Sequence, residues 1–134
     1  PYPGSAAVLD LLADRGVPAA IVSSSKNARK VLAAADLETR FEVVVDGVVA
    51  AELGVTGKPT PGTYLLGAEQ LGTDPARTVV VEDAVSGVAA GHAGSFAVTI
   101  GVDRGAGGQT LLDNGATFVV DDLADLLPPQ GGGD

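Results

Sequence analysis

Short apolar segments alternate with helix-like segments along almost the whole chain, and this alternation limits the fold more than any other feature. The apolar segments are residues 19–22, 41–45, 78–81, 96–100 and 117–120, which predict five strands, the first and third of them covered on both faces. Helices are predicted from Pro3 to about Gly16 and at residues 28–35, 62–71, 85–93 and 109–114. Asp46-Gly47 is predicted to be a turn, and the segment from there to Thr56 is either a short helix or a loop. The pattern predicts an α/β fold in which helices cover both faces of a parallel sheet.

Length and charge restrict the function classes. The chain has 134 residues and no cysteine, which suits one domain whose core needs no disulfide or metal. The net charge is −9, so we expect nucleic acids and anionic membranes to be repelled. No apolar segment approaches the roughly 20 residues that span a bilayer. We expect one domain over residues 1–127 in the cytoplasm, followed by a disordered, proline- and glycine-rich tail over 128–134.

Three polar clusters follow strands or precede a helix. They are residues 23–27 (Ser-Ser-Ser-Lys-Asn), Lys58 and the pair Glu82-Asp83. Open parallel sheets bind ligands beyond the carboxyl ends of their strands, so we expect the three clusters to lie together. Hydroxyls at a helix start and a lysine suit a phosphate group, and paired carboxylates suit Mg²⁺. The sequence therefore predicts a site for phosphate and Mg²⁺.

Each cluster also has a plainer interpretation when it is taken alone. Residues 23–27 could form a capped turn, Lys58 could be a solvated loop lysine, and Glu82-Asp83 could cap a helix. His92 is the only histidine of the sequence, and we expect it at a helix end or on the surface. The shared location of the clusters at predicted strand ends is what favours a site.

Three segments resemble motifs of the haloacid dehalogenase superfamily, in particular its beta-phosphoglucomutase-like branch. Residues 21–27 (IVSSSKN), 57–61 (GKPTP) and 81–91 (VEDAVSGVAAG) are similar to the second, third and fourth motifs. They stand in the order and at the intervals of the family, and the match covers nearly the whole chain before the tail. The resemblance implies a Rossmann-like, three-layer α/β/α fold with a mostly parallel sheet.

The resemblance also implies a role for each matched residue. Ser23 would bind the transferring phosphoryl group, and Lys58 would stabilise its charge. Asp83 would coordinate Mg²⁺, with Glu82 contacting a metal-bound water. The remaining phosphate-binding positions would be Ser24, Ser25, Lys26 and Asn27, of which the last three would hold the second phosphate of a bisphosphorylated sugar.

The chain also departs from the family. The first motif, an Asp-x-Asp that supplies the nucleophile and the general acid/base, is absent from the 134 residues, as is the helical cap domain. The strand of that motif lies centrally in the family's sheet, so the resemblance implies a gap between strands 19–22 and 78–81. Gly62 stands where the family usually has an aspartate. We interpret the chain as the C-terminal part of a longer enzyme's core, inactive alone, with the N-terminal segment and a small phosphorylated sugar as its partners.

Two function classes stay open. The first is Mg²⁺-dependent phosphoryl transfer on sugar phosphates, by a phosphomutase or a phosphatase. The second is a non-catalytic phosphate-binding or scaffold module of the same fold, whose nucleophile was lost in evolution. A receiver-like signalling domain is disfavoured, because its acidic pair should precede the lysine in the chain.

Overall fold

A computed structural model describes residues 3–23 and 26–127 of the chain. The helices of this part are α1 (Pro3–Asp14), α2 (Ala28–Ala34), α3 (Gly47–Glu52), α4 (Gly62–Leu71), α5 (Val85–Ala93) and α6 (Gly108–Asp113). The strands are β1 (Ala20–Val22), β2 (Val43–Val45), β3 (Val79–Glu82), β4 (Val98–Val102) and β5 (Phe118–Val120). The predicted α/β fold is confirmed, and the predicted disordered tail, 128–134, lies outside the described residues. No helix within the described ranges is long and apolar enough to cross a membrane.

The strands pair in parallel, but they form two sheets. β1 pairs with β2, with Val22 opposite Val45. β4 lies between β3 and β5, with Glu82 opposite Gly101 and Ile100 opposite Phe118. Within the described residues β1 and β3 make no strand pairing. The break in the sheet therefore falls where the family resemblance implies a gap.

Helices α4 and α5 hold the two sheets in one body. α4 packs against β1 and β2, α5 packs against β3 and β4, and the two helices contact each other. One core cluster spans both sheets and consists of Tyr64, Val80 and Ala90 with the partly buried Val22 and Phe96. A second cluster involves α5, α6 and β5 and consists of Val88, Leu111 and Ala116 with the partly buried Val85 and Val119. Apolar burial across the break thus keeps the carboxyl ends of β1 and β3 near each other.

The prediction that β3 is covered on both faces is wrong for this chain. Val80 is 5% exposed and packs under α5, whereas its neighbours Val79 and Val81 are 51% and 44% exposed. Side chains alternate between the two faces of a strand, so Val79 and Val81 share the face opposite α5. β1 is likewise only partly buried along its length. The sequence of β3 is typical of a central strand, but in this structure β3 lies at the break between the two sheets.

Asp46 and Gly47 do not form the predicted turn but begin α3. The Asp46 carboxylate accepts a hydrogen bond from the Val49 amide at 2.9 Å, which is the bond of a helix N-cap. Arg29 Nε lies 3.8 Å from the other carboxylate oxygen. The segment that was ambiguous between helix and loop is therefore a short helix, and a nearly buried aspartate fixes its start.

An ion pair joins the two sheets at their carboxyl ends. Lys58 Nζ lies 2.9 Å from Glu82 Oε2 at the end of β3, and it donates to the Val22 carbonyl at the end of β1 at 3.4 Å. The two charged side chains are 18% and 12% exposed. Burial alone would raise the pKa of Glu82, but hydrogen bonds from Tyr64 and Lys58, together with the lysine charge, outweigh it and hold the pKa below its ordinary value. Glu82 is therefore charged in the folded protein at neutral pH.

The lowered pKa of Glu82 predicts how stability responds to acid. A carboxylate whose pKa is depressed by folding stabilises the protein above its unfolded-state pKa, near 4.5, and loses that effect as the pH falls through the folded-state value. We expect Glu82→Gln to cost about 1–3 kcal/mol of unfolding free energy at pH 7, and the cost to shrink below pH 4.5. Urea unfolding at pH 7 and in the acid range measures both quantities.

The matched control is Glu69→Gln, because Glu69 is an exposed glutamate on α4. Its effect should stay within about 0.5 kcal/mol at every pH. A cost of Glu82→Gln that stayed constant or grew as the pH fell would contradict the electrostatic role of Glu82.

Candidate active site

The loop that carries Lys58 lies at the carboxyl ends of β1 and β3. We call this region the carboxyl edge. Lys58 contacts the carbonyl of Val22, the residue immediately before Ser23, and the carboxylate of Glu82, the residue immediately before Asp83. Lys58 and Glu82 are therefore in direct contact, and Ser23 and Asp83 each follow in the sequence a residue that Lys58 contacts. Ser24 and Ser25 lie outside the described residues. Lys26 and Asn27 are exposed just before α2 begins.

The loop that carries Lys58 is fixed by its own hydrogen bonds. The Thr60 hydroxyl donates to the carbonyls of Thr56 at 2.9 Å and Gly57 at 2.7 Å. α4 then begins at Gly62, where an added Cβ would lie 2.9 Å from both the Thr56 carbonyl oxygen and Val55 Cγ1. This crowding accounts for glycine in place of the family's aspartate. The helix start therefore packs closely against the segment that precedes the Lys58 loop.

The Glu82 carboxylate receives hydrogen bonds at both oxygens. Oε2 accepts from Lys58 Nζ and from the Tyr64 hydroxyl. Oε1 accepts from the backbone amides of Asp83 at 3.1 Å and Ala84 at 3.4 Å. Such a complete set of donors is what allows a charged carboxylate to lie in a partly buried position. Glu82 thus serves first as an internal anchor of this edge.

Gly87 makes room for this anchor. It lies in the first turn of α5, and a Cβ added there would overlap the Glu82 side chain from Cγ to the carboxylate. Glycine therefore lets the helix pass directly over the glutamate. Sequence reasoning identified residues 81–91 as a motif but did not assign this role to Gly87.

Tyr64 is a second residue that sequence reasoning missed. It is 8% exposed, its hydroxyl donates to Glu82, and its ring lies 5.1 Å from Lys58 Nζ. Burial, followed by the charge of Glu82 and the hydrogen bond to it, raises the pKa of Tyr64 well above its ordinary value, so the hydroxyl stays protonated. The available signal is a tyrosine in the first turn of a predicted helix, because a buried phenol usually needs a hydrogen-bond partner.

Asp83 differs from Glu82 in being exposed. Its carboxylate is the more available oxygen donor for a cation at this edge. Among the residues that the structure describes, no three His, Cys, Asp or Glu side chains are grouped so that they could hold a metal ion. At this edge the described residues therefore offer a cation one exposed carboxylate, that of Asp83, beside a Glu82 carboxylate that is already hydrogen-bonded.

Asp103, another carboxylate at the end of a strand, forms hydrogen bonds only within its own loop among those described. Asp103 follows β4 and accepts hydrogen bonds from the amides of Gly105 and Gly107, both at 3.1 Å. These backbone bonds, that of Gly105 first, lower the pKa of Asp103. Asp103 therefore shapes its own glycine-rich loop.

His92 is exposed in the last turn of α5, as predicted.

Several curated proteins similar to this chain are named as phosphomutases or phosphatases of carbohydrates. The chain is 45% identical over 129 residues to the beta-phosphoglucomutase of Mycobacterium bovis, covering 94% of this chain and 49% of that protein. It is 35% identical over 125 residues to the beta-phosphoglucomutase of Bacillus subtilis, covering 92% and 50%. Hexitol phosphatase A of Escherichia coli is 42% identical over 95 residues, covering 68% and 41%. The chain spans about half the length of the beta-phosphoglucomutases it matches.

Solved structures agree with the sequence relatives. The crystal structure of beta-phosphoglucomutase from Clostridium difficile matches with a TM-score of 0.80 and 26% identity, covering 93% of this chain and 52% of that one. A HAD family hydrolase from Deinococcus radiodurans, solved with bound phosphate and sodium, matches with a TM-score of 0.81 and 36% identity, covering 93% and 56%.

The family comparison covers all three motifs described above. A model of haloacid dehalogenase-like hydrolases matches residues 1–94, which include the second and third motifs and the fourth motif with Glu82, Asp83 and Gly87. The match includes the residues that meet at the edge of the two sheets. The chain therefore belongs to the haloacid dehalogenase-like hydrolases, and it is of their beta-phosphoglucomutase-like kind.

Proposed function

We propose that this chain supplies the phosphate-stabilising lysine and part of the Mg²⁺ site of an enzyme that transfers or hydrolyses phosphoryl groups of sugar phosphates. The observation that carries the proposal is the position of Lys58. Its ammonium group lies between the end of β1, where Ser23 follows, and the end of β3, where Asp83 follows. A cation held between a hydroxyl-bearing segment and a carboxylate suits a phosphoryl group bound next to a metal ion.

Each matched residue has a task that its position allows. Ser23 would donate a hydrogen bond to an oxygen of the transferring phosphoryl group, and Lys58 would offset the negative charge that spreads over those oxygens. Asp83 would bind Mg²⁺, while Glu82 would hold Lys58 and contact a metal-bound water. When bound, Mg²⁺ would neutralise phosphate charge and orient the phosphoryl group.

The nucleophile is proposed to come from a further segment of the same protein. No Asp-x-Asp occurs in the 134 residues, and the relatives are about twice as long as the part matched. In the part of the chain that the structure describes, β1 and β3 each have an unpaired edge, and Val79 and Val81 are exposed, which would suit one more strand between the two sheets. Such a strand would bring its carboxylates to the edge where Lys58 and Asp83 lie. This chain alone is therefore expected to be inactive.

Lys26 and Asn27 are proposed to hold a second phosphate group. Both residues are exposed, and they follow Ser23 in the sequence within three to four positions. Relatives named beta-phosphoglucomutase or hexitol phosphatase make a phosphorylated sugar the substrate class we favour. A net charge of −9 means that such an anion must be held by local cations.

Lys58→Ala tests the proposed catalysis in the longer protein that contains this chain. We expect kcat to fall about a hundredfold or more, because one charge-stabilising group is lost in the transition state. The matched control is Lys30→Ala on the exposed face of α2, which should leave kcat within about twofold. Steady-state kinetics with Mg²⁺ measures both. Wild-type protein without turnover would instead favour the non-catalytic module, and an active Lys58→Ala variant would contradict the role of Lys58.

Lys26→Ala tests the second phosphate position. A charge-assisted contact to a phosphate is lost only when the substrate carries two phosphates, so kcat/KM should fall about ten- to a hundredfold for a bisphosphorylated sugar and little for an aryl phosphate. Ser23→Ala should impair both substrates, because the transferring group is common to them. An equal loss of kcat/KM on the two substrates for Lys26→Ala would show that Lys26 does not bind the second phosphate.

A further inference from the structure

Tyr64 connects the core to the charged edge. Its ring packs edge-on against Phe96, with centroids 6.0 Å apart and an angle of 77° between the ring planes. Its hydroxyl donates to the same oxygen of Glu82 that receives Lys58. One side chain thus has its ring fixed in the apolar cluster and its polar atom on the anchor of the lysine.

The Glu82 carboxylate needs this fixed donor. Its Oε1 is bound by amides of its own turn, which follow β3 directly, while Oε2 is bound by Lys58 and Tyr64. Lysine has a long flexible side chain, so by itself it cannot define where Oε2 lies. The Tyr64 phenol can define it, because the ring is 8% exposed and packed on Phe96.

The position of Lys58 depends in turn on Glu82. The ammonium group contacts Glu82 at 2.9 Å and the Val22 carbonyl only at the longer distance of 3.4 Å. If Oε2 turned away, the lysine would follow its counter-charge or become mobile. A shift of about 1 Å at a charge-stabilising group can cost a large factor in rate. The order of dependence therefore runs from the tyrosine through the glutamate to the lysine.

We propose that Tyr64 is a positioning residue for phosphoryl transfer, whose hydroxyl orients Glu82 Oε2 and thereby holds Lys58 at the phosphoryl group. This inference rests on the proposed function. The phenol does not touch substrate and exchanges no proton; it acts by keeping one carboxylate oxygen in place.

Tyr64→Phe in the longer, active protein tests the inference, because it removes the hydroxyl and keeps the ring. We expect kcat to fall about tenfold while KM changes less than about twofold, since Lys58 acts mainly on the transition state. The matched control is Leu111→Ala, which opens the second core cluster and leaves the packing of the Tyr64 ring and its hydroxyl bond in place. It should lower the melting temperature and leave kcat within about twofold.

A second variant, Gly87→Ala, tests the same carboxylate by crowding it from helix α5. Gly87→Ala places a methyl group where the Glu82 side chain lies, so it should displace the anchor and lower kcat with KM little changed. In a Glu82→Ala background, Tyr64→Phe should cause no further loss of kcat, because the hydroxyl no longer has a carboxylate to orient.

The outcomes separate this inference from the proposed function. An active Lys58→Ala enzyme overturns both. A Lys58→Ala loss together with wild-type kcat in Tyr64→Phe overturns the role of Tyr64 alone. A kcat loss in Leu111→Ala equal to that in Tyr64→Phe, or a full Tyr64→Phe loss in the Glu82→Ala background, also overturns it, since the effect would then come from general packing.

Discussion

The Glu82 carboxylate is the group on which the rest of the carboxyl edge depends. A charge in a partly buried position is tolerated only when hydrogen bonds and an opposite charge replace its hydration, and here four donors do so. They come from three places along the chain: the turn after β3, the Lys58 loop and helix α4. Because Lys58 also reaches the Val22 carbonyl, one ion pair sets the position of the β3 end relative to the β1 end. Removing either partner would leave an uncompensated charge at the junction of the two sheets.

Three separate features are incomplete at the same place. The edges of β1 and β3 are unpaired in the described residues, Val79 and Val81 are half exposed on the adjoining face, and the metal site proposed at Asp83 and Glu82 lacks further ligands there. One strand that carried carboxylates at its end would complete all three. This coincidence supports the proposal that the nucleophile and the remaining metal ligands come from another segment of the protein.

Local patterns allowed most of the fold to be predicted, and contacts between distant residues account for what was missed. Helices α4 and α5 begin and end where predicted, because turn residues and apolar spacing mark them. Strand β4 lies two residues later than predicted, since Phe96 packs into the core cluster and Gly101 continues the strand beneath Leu111. The places of Lys58 and Asp83 in the fold could be predicted from the motifs that contain them. The contact of Tyr64 with Glu82 joins residues 18 positions apart, and no local pattern encodes it.

Titration of Mg²⁺ into this chain, followed by ¹H–¹⁵N NMR, tests most directly the claim that it carries only part of a metal site. We expect saturable shifts confined to Asp83, Ala84 and their neighbours, with a dissociation constant above about 1 mM, because one exposed carboxylate and an already engaged neighbour hold the ion weakly. Asp83→Asn should abolish the shifts, and Asp103→Asn, at the end of β4, should not. Micromolar affinity, or shifts that survive Asp83→Asn, would show that Asp83 is not part of an incomplete metal site.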